Sequence, residues 1–364
     1  MPLHPVKLPS LAARLFRVVA LQKVLLKALA NPALNVNAVN RAWVQNLWKS
    51  MDPGWVTKFC RRGQLARIQT IAAAAPAFRQ ALYAEFCRQN KIETLIGTGG
   101  NFVDVATLPS STAALALTVK KFFVECYELL GSSSRVGGYY FAGRSITKRT
   151  YREKFCEAYP TIVICPYCDG DIGNPDLDHY LAKTLFPLIA CSPWNLVPIC
   201  KSCNDVVTGK GGGAAITLGP PRSTNDWLHP FFRPASKQVW IRLNGPPQGS
   251  IPRLHSPNAA EATRLDNHMA LIDQTWKANP CRSLTKRWTN KAAAYFDVLV
   301  RQVNKNAAAQ NPRVLLVWKR FNDHYQARGR TASSMIHLAV CEAVLVGRAG
   351  YVWEFVDSNP PQMV

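Results

Sequence analysis

Apolar residues recur at three- and four-residue spacing along most of the first 130 positions. Leu11, Leu15, Val18, Val19, Leu25, Leu26 and Leu29 form one such stripe, broken at Gln22. The segments "NAVNRAWVQNLWKS", "AFRQALYAEFCRQN" and "TAALALTVKKFFVECYELL" continue the pattern. That period belongs to amphipathic helices packed on a core. "GTGGN" and "GSSSRVGG" interrupt it as loops, and the second of these, residues 131–138, is the candidate linker. A further helix is expected over "ITKRTYREKFCEAY". The period changes to two in "KQVWIRLN", which predicts a strand. From Asn258 onward helices return in "AAEATRLDNHMALIDQTW", "SLTKRWTNKAAAYFDVLVRQV", "RVLLVWKRFNDHY" and "SSMIHLAVCEAVLV". No repeat is detectable.

The expected class is therefore α+β: a mainly helical chain around a central module with a different texture. The boundaries read as a basic helical N-terminal region over 1–135, the module over 150–235, and a basic, mainly helical C-terminal region over 236–364.

Charge sharpens that division. The 364 residues carry a net +22. Residues 1–160 hold 22 basic against 8 acidic side chains, 161–220 hold 3 against 5, and 221–364 hold 19 against 9. Basic flanks around a slightly acidic centre suit a metal site held between phosphate-binding surfaces. A polyanionic partner, DNA above all, is expected; solubility charge alone is the competing reading. The longest apolar run, Met335 to Val346, is far short of the roughly 20 residues a membrane-spanning helix needs. The N-terminal stripe lacks any acidic residue before Asp52, as an organellar transit peptide does. Its spacing favours a basic amphipathic helix packed on a domain.

Eleven cysteines make an odd and irregular set. Cys60, Cys87, Cys126, Cys156, Cys191, Cys281 and Cys341 read as scattered thiols of a reducing compartment, so a cytoplasmic location is expected. Cys165/Cys168 and Cys200/Cys203 differ, because each forms a Cys-x-x-Cys pair. Two such knuckles can close a tetrahedral zinc site with four thiolates and no open position. A redox pair or an iron–sulfur cluster are the alternatives; two pairs framing one shared insert favour structural Zn²⁺. The insert contains "PDLDHYLAK" and "SPWNLVPICKSCN". Asp178 and His179 are adjacent, so on a strand they face opposite sides. Asn195 precedes an apolar strand. Asn204 follows the last cysteine and is expected at the start of a helix, "NDVVTGK", close to the Asp-His strand.

This order of residues resembles the HNH endonucleases, the zinc-stapled form of the ββα-metal fold. The family shows Cys-x-x-Cys, an apolar residue before Asp-His, then Asn-Leu, then Cys-x-x-Cys followed by His or Asn, then often a Lys. Cys165/Cys168, Leu177-Asp178-His179, Asn195-Leu196, Cys200/Cys203-Asn204 and Lys210 supply each in turn. The wording also resembles the HNH partners of ATPases in bacterial anti-phage and retron-associated systems. The likeness covers about residues 160–235 and leaves the flanks unread. Asn204 stands where many members have His, as it does in the HNH domain of the RNA-guided CRISPR nuclease.

The resemblance implies metal-dependent endonucleolytic cleavage of DNA, with a role in antiviral defence. His179 would act as general base on the attacking water, since an imidazole is matched to neutral pH. Asp178 and Asn204 would hold a catalytic Mg²⁺ or Mn²⁺, because their donors are all oxygen. Asn195 would fix the orientation of His179 through backbone or imidazole hydrogen bonds. Lys183 and Lys210 are candidate phosphate contacts, with solvated surface lysines as the alternative. His229 in "WLHPFF" either closes over the site or is a satisfied loop histidine. Trp288, Trp318 and Phe321 either stack on bases or belong to the core. Two other functions compete: a zinc module that binds nucleic acid without cutting, and a nuclease subunit active only with an ATPase or sensor partner.

Overall fold

The structure is a computed structural model. It describes residues 6–131, 138–141, 144–158, 165–167, 172, 175–204, 224–236, 239–244, 251–275, 290 and 292–294. Among these the chain is mostly helical with small antiparallel sheets, an α+β architecture. The candidate linker, Cys168, Lys210, Trp288, Trp318, Phe321 and the last three expected helices lie largely or wholly outside the described residues.

Seven helices build the N-terminal region: α1 (Ala12–Leu29), α2 (Arg41–Leu47), α3 (Pro53–Phe59), α4 (Leu65–Ala72), α5 (Pro76–Gln89), α6 (Ile92–Thr98) and α7 (Ala113–Glu128). Helix α1 buries Leu15, Val18, Leu25, Leu26 and Leu29 along one stripe, as its period predicts. Gln22 lies within that stripe rather than breaking it. It is buried, and its amide donates to the Cys191 thiol at 3.6 Å. Starts are marked by side-chain caps, which satisfy orphan amides of the first turn. Asp52 accepts from Trp55 before α3, with Pro53 at the first helical position. Thr112 accepts from Leu115 before α7. Trp48, Trp55, Phe59 and Phe122 interlock edge-to-face and stacked at the centre of the bundle.

A hairpin of β1 (Tyr139–Phe141) and β2 (Arg144–Ile146) leads into α8 (Lys148–Glu157). Gly138 enters it at φ +88, where an added Cβ would lie 2.3 Å from the Ile146 carbonyl. Only glycine fits that approach. A capping box between Thr147 and Thr150 opens α8.

The central module is an antiparallel pair, β3 (Asp176–His179) and β4 (Leu196–Ile199), followed by the short helix α9 (Lys201–Asn204). Strand β4 is buried along its whole length and carries Pro198 opposite Leu177. Proline is tolerated because each strand of a two-stranded sheet is an edge. Leu188, Ala190, Cys191 and Leu196 pack in the same hydrophobic core as α1, α5 and α7. Beyond the module, β5 (Trp240–Asn244) pairs with β6 (Ile251–His255), and α10 (Ala259–Thr275) follows. No described helix is long and apolar enough to cross a membrane.

Candidate functional site

Three of the knuckle thiols converge. The sulfurs of Cys165, Cys200 and Cys203 all lie within 4.8 Å of one another. A tetrahedral site with Zn–S bonds of about 2.3 Å spaces its sulfurs about 3.8 Å apart, so the three fit one ion. The turn that makes the second knuckle is visible in the backbone: Cys203 and Asn204 both donate to the Cys200 carbonyl, at 3.0 and 3.1 Å. The Cys200 amide in turn points to the Cys165 sulfur at 3.5 Å, the N–H···S contact that lowers a thiolate's charge. Cysteines elsewhere in the described residues are not disulfide-bonded. Burial pushes the Cys126 thiol up to about 12 and raises Cys191 as well, so both stay neutral packing groups.

The Asp-His strand runs beside this cluster. Alternation on β3 sets Leu177 and His179 on one face and Asp176 and Asp178 on the other. His179 is buried. Its Nε2 lies 2.9 Å from the Ala190 carbonyl. A carbonyl only accepts, so Nε2 carries a proton, and in the neutral ring the lone pair is then on Nδ1. The Tyr127 ring of α7 packs edge-on to the imidazole with centroids 4.2 Å apart.

Asn195 is fully buried between β3 and β4. Its Oδ1 accepts from the Leu181 amide at 2.7 Å, and its Nδ2 donates to the Leu181 carbonyl at 2.9 Å and the Ile189 carbonyl at 3.4 Å. Its own carbonyl accepts from Tyr180 at 2.8 Å. These bonds are to backbone, and they tie both ends of the segment that presents Ala190 to His179.

Asn204 ends the described part of α9 rather than starting a helix, because the helical turn begins one residue after Cys200, at Lys201. Its amide donates to Asp176 Oδ2 at 3.3 Å, and Arg152 of α8 approaches the other oxygen of Asp176 at 3.9 Å. Asp176 is thus the carboxylate at the Asn204 side of the strand. Asp178 lies two residues along on the same face of β3.

Lys183 is not a free surface lysine. Together with Lys148, the first residue of α8, it binds the carboxylate of Glu128 at the end of α7. Lys148 Nζ lies 4.2 Å and Lys183 Nζ 4.8 Å from the Tyr127 ring centroid. Burial tends to raise the Glu128 carboxyl, but the two ammoniums outweigh it and hold it below the ordinary carboxylate range. Tyr127 is pushed upward by burial and then by the nearby Glu128 and Asp178 charges, so its hydroxyl stays protonated.

His229 is buried against Tyr180 and Phe232. Its Nδ1 accepts from the Phe231 amide at 3.3 Å, yet its Nε2 has no hydrogen-bond partner, so it is only half satisfied. Burial, then the Arg233 charge, pushes it down to about 3, which keeps it neutral. Beneath it the Tyr180 hydroxyl donates to the Leu228 carbonyl.

Asp176, Tyr127, Glu128 and Lys148 escaped the sequence reading, as did His268. His268 is buried on α10 with Nε2 3.2 Å from the Tyr167 carbonyl, inside the first Cys-x-x-Cys turn. Only Asp176 left a signal, the period-two relation to Asp178.

No model of a known protein family matches the chain, and no solved structure does. It is similar to a protein called ea31 of Escherichia phage lambda, with 46% identity over 41 residues. That stretch is 11% of this chain and 14% of the phage protein.

Proposed function

We propose that the chain is a metal-dependent endonuclease that hydrolyses phosphodiester bonds in DNA, built on an HNH-type module stapled by zinc. The observation that carries this reading is the His179 imidazole: its Nε2–H is held by the Ala190 carbonyl, so the proton-accepting nitrogen is Nδ1, on a strand whose opposite face carries Asp176 and Asp178. A general base for water needs that tautomer, fixed by a partner on the other nitrogen.

Cys165, Cys200 and Cys203 would hold the zinc, with Cys168 as the fourth ligand from the sequence pattern. Asp178 and Asn204 would hold Mg²⁺ or Mn²⁺, with Asp176 beside Asn204. When bound, such an ion neutralises phosphate charge and stabilises a departing oxygen. The chain's own residues do the rest. His179 accepts the proton of the attacking water at Nδ1. Asn195 holds the loop that orients the imidazole. Tyr127 packs against the ring from α7, keeps water off that edge and restricts its rotation.

The test is incubation of the purified chain with supercoiled plasmid and with single-stranded DNA, with and without Mg²⁺ or Mn²⁺. Metal-dependent cutting that is lost in His179→Ala is the expected result. Binding without cutting under every metal condition would instead favour a nucleic-acid-binding zinc module, and cutting only after a sensor ATPase is added would mark a dependent subunit.

A further inference from the structure

We propose that Lys148 and Lys183 form a subsite for a backbone phosphodiester next to His179, and that the Glu128 carboxylate fills it until nucleic acid binds. The proposal rests on the nuclease reading above and names where that substrate's neighbouring phosphate sits.

The geometry is that of an anion clamp. Lys183 donates to Glu128 Oε1, and Lys148 donates to Oε2 at 2.6 Å. Each carboxylate oxygen therefore serves one ammonium. A phosphodiester offers the same arrangement, one negative charge shared over two non-bridging oxygens. The two lysines come from different segments, the start of α8 and the loop after β3, and converge on one point. Both lie over the Tyr127 ring, whose centroid is 4.2 Å from that of His179. The clamp is thus one aromatic ring away from the candidate base.

The charge count favours exchange. Two cations share one anion, so the triad keeps one net positive charge. Side-chain exposures of 30% for Lys148, 28% for Lys183 and 40% for Glu128 leave all three open to solvent. Pairs this exposed are weak and are readily replaced by a competing anion. Glu128 is also the last residue of α7, where a negative side chain opposes the helix dipole. A carboxylate in that position leaves more easily than one at a helix start.

A bridging ion triad could equally serve only to fasten α7 to the module, and the sign of one substitution separates the two roles. Binding of a labelled duplex oligonucleotide is measured by anisotropy, without added divalent cation, for the parent, Glu128→Gln and Lys148→Gln. Removing the stand-in should tighten binding in Glu128→Gln by about three- to tenfold, even if the melting temperature falls. Lys148→Gln should weaken binding and lower the log–log salt slope by about 0.9. If Glu128→Gln binds no better than the parent, or Lys148→Gln leaves the slope unchanged, the triad is a fastening and the proposal is wrong. Should Lys148→Gln fail to fold, the direction of the Glu128→Gln change decides alone. Inorganic phosphate is the second probe. Displacement of the oligonucleotide by millimolar phosphate, beyond the effect of matched chloride, would overturn the backbone assignment in favour of a free-anion site. Cleavage by the parent is scored separately: a chain that binds through Lys148 but never cuts refutes the nuclease reading and leaves the subsite standing.

Discussion

Replacing Asn195 by alanine isolates the part of the site that is made of hydrogen bonds alone. The side chain satisfies both backbone groups of Leu181, at 2.7 and 2.9 Å, and Leu181 is itself fully buried. Alanine leaves a buried N–H and a buried C=O without partners. Each such group costs about 1–3 kcal/mol, so the loss is about 2–6 kcal/mol, with the 3.4 Å bond to Ile189 adding little. The damage is local, and backbone amide exchange reads it locally. At about 1.4 kcal/mol per tenfold, exchange in the peptide spanning 176–199 should speed by at least about 30-fold, while α4 and α5 keep their protection. Cleavage should fall in parallel, because the same amide ties the segment that presents the Ala190 carbonyl to His179. Asn195→Asp should be no better, since it keeps the acceptor for Leu181 N–H but turns a carboxylate toward the Leu181 carbonyl. Exchange within threefold of the parent in Asn195→Ala would refute the claim that this amide holds the hairpin.

Elemental analysis should find one zinc per chain, and Cys200→Ser should lose it together with the fold of the module, since structural zinc contributes on the order of 10 kcal/mol. His179→Ala should cut about 10²- to 10⁴-fold more slowly while zinc content and DNA affinity stay at parental levels; equal rates would remove the imidazole from the reaction. Asn204→Ala should raise the Mg²⁺ or Mn²⁺ concentration needed for half-maximal cleavage, and a metal titration that superimposes on the parent's would exclude it as a ligand. His229 adds an acid sensitivity: the unfolded chain takes up a proton near pH 6.5 and the folded one only near 3. Its stabilising contribution is complete above pH 6.5 and is lost as pH falls, about 2 kcal/mol of it by pH 5. Urea unfolding of His229→Gln should show a shallower loss between pH 6.5 and 5, and parallel curves would refute the assignment.

The helical period made α1, α5, α7, α8 and α10 legible, because each has one buried face whose spacing survives in the sequence. The short helices α3, α4 and α6 were not, being seven or eight residues long with boundaries set by Gly63, at φ 77, and by caps rather than by period. The β1–β2 hairpin also passed unread: its strands have three residues each, too few to display alternation. Within the site, the local pattern identified Cys165, Cys200 and Cys203, whose grouping needs only a knuckle and one returning strand. What it could not reach was whatever depends on packing between distant segments. Tyr127 and Glu128 stand about fifty residues before His179 and Lys183, and nothing in "FVECYELL" distinguishes them from an ordinary end of a helix. Gln22 was misread for the same reason, since its partner Cys191 lies 169 positions away.

The shared core beneath β4 bears on how such a chain can be inherited and rearranged. Leu188, Ala190, Cys191 and Leu196 share one hydrophobic core with the helices of the first 130 residues. A fragment cut out at Lys148 would expose these four side chains and strip the Tyr127 ring from His179. The Asp-His hairpin is consequently not a cassette that recombination could drop intact into another scaffold. It can be exchanged only along with the surface of α7 that it rests on. The same contact makes α7 a lever: whatever docks on the helical region and tilts that helix moves the Tyr127 wall of the imidazole directly.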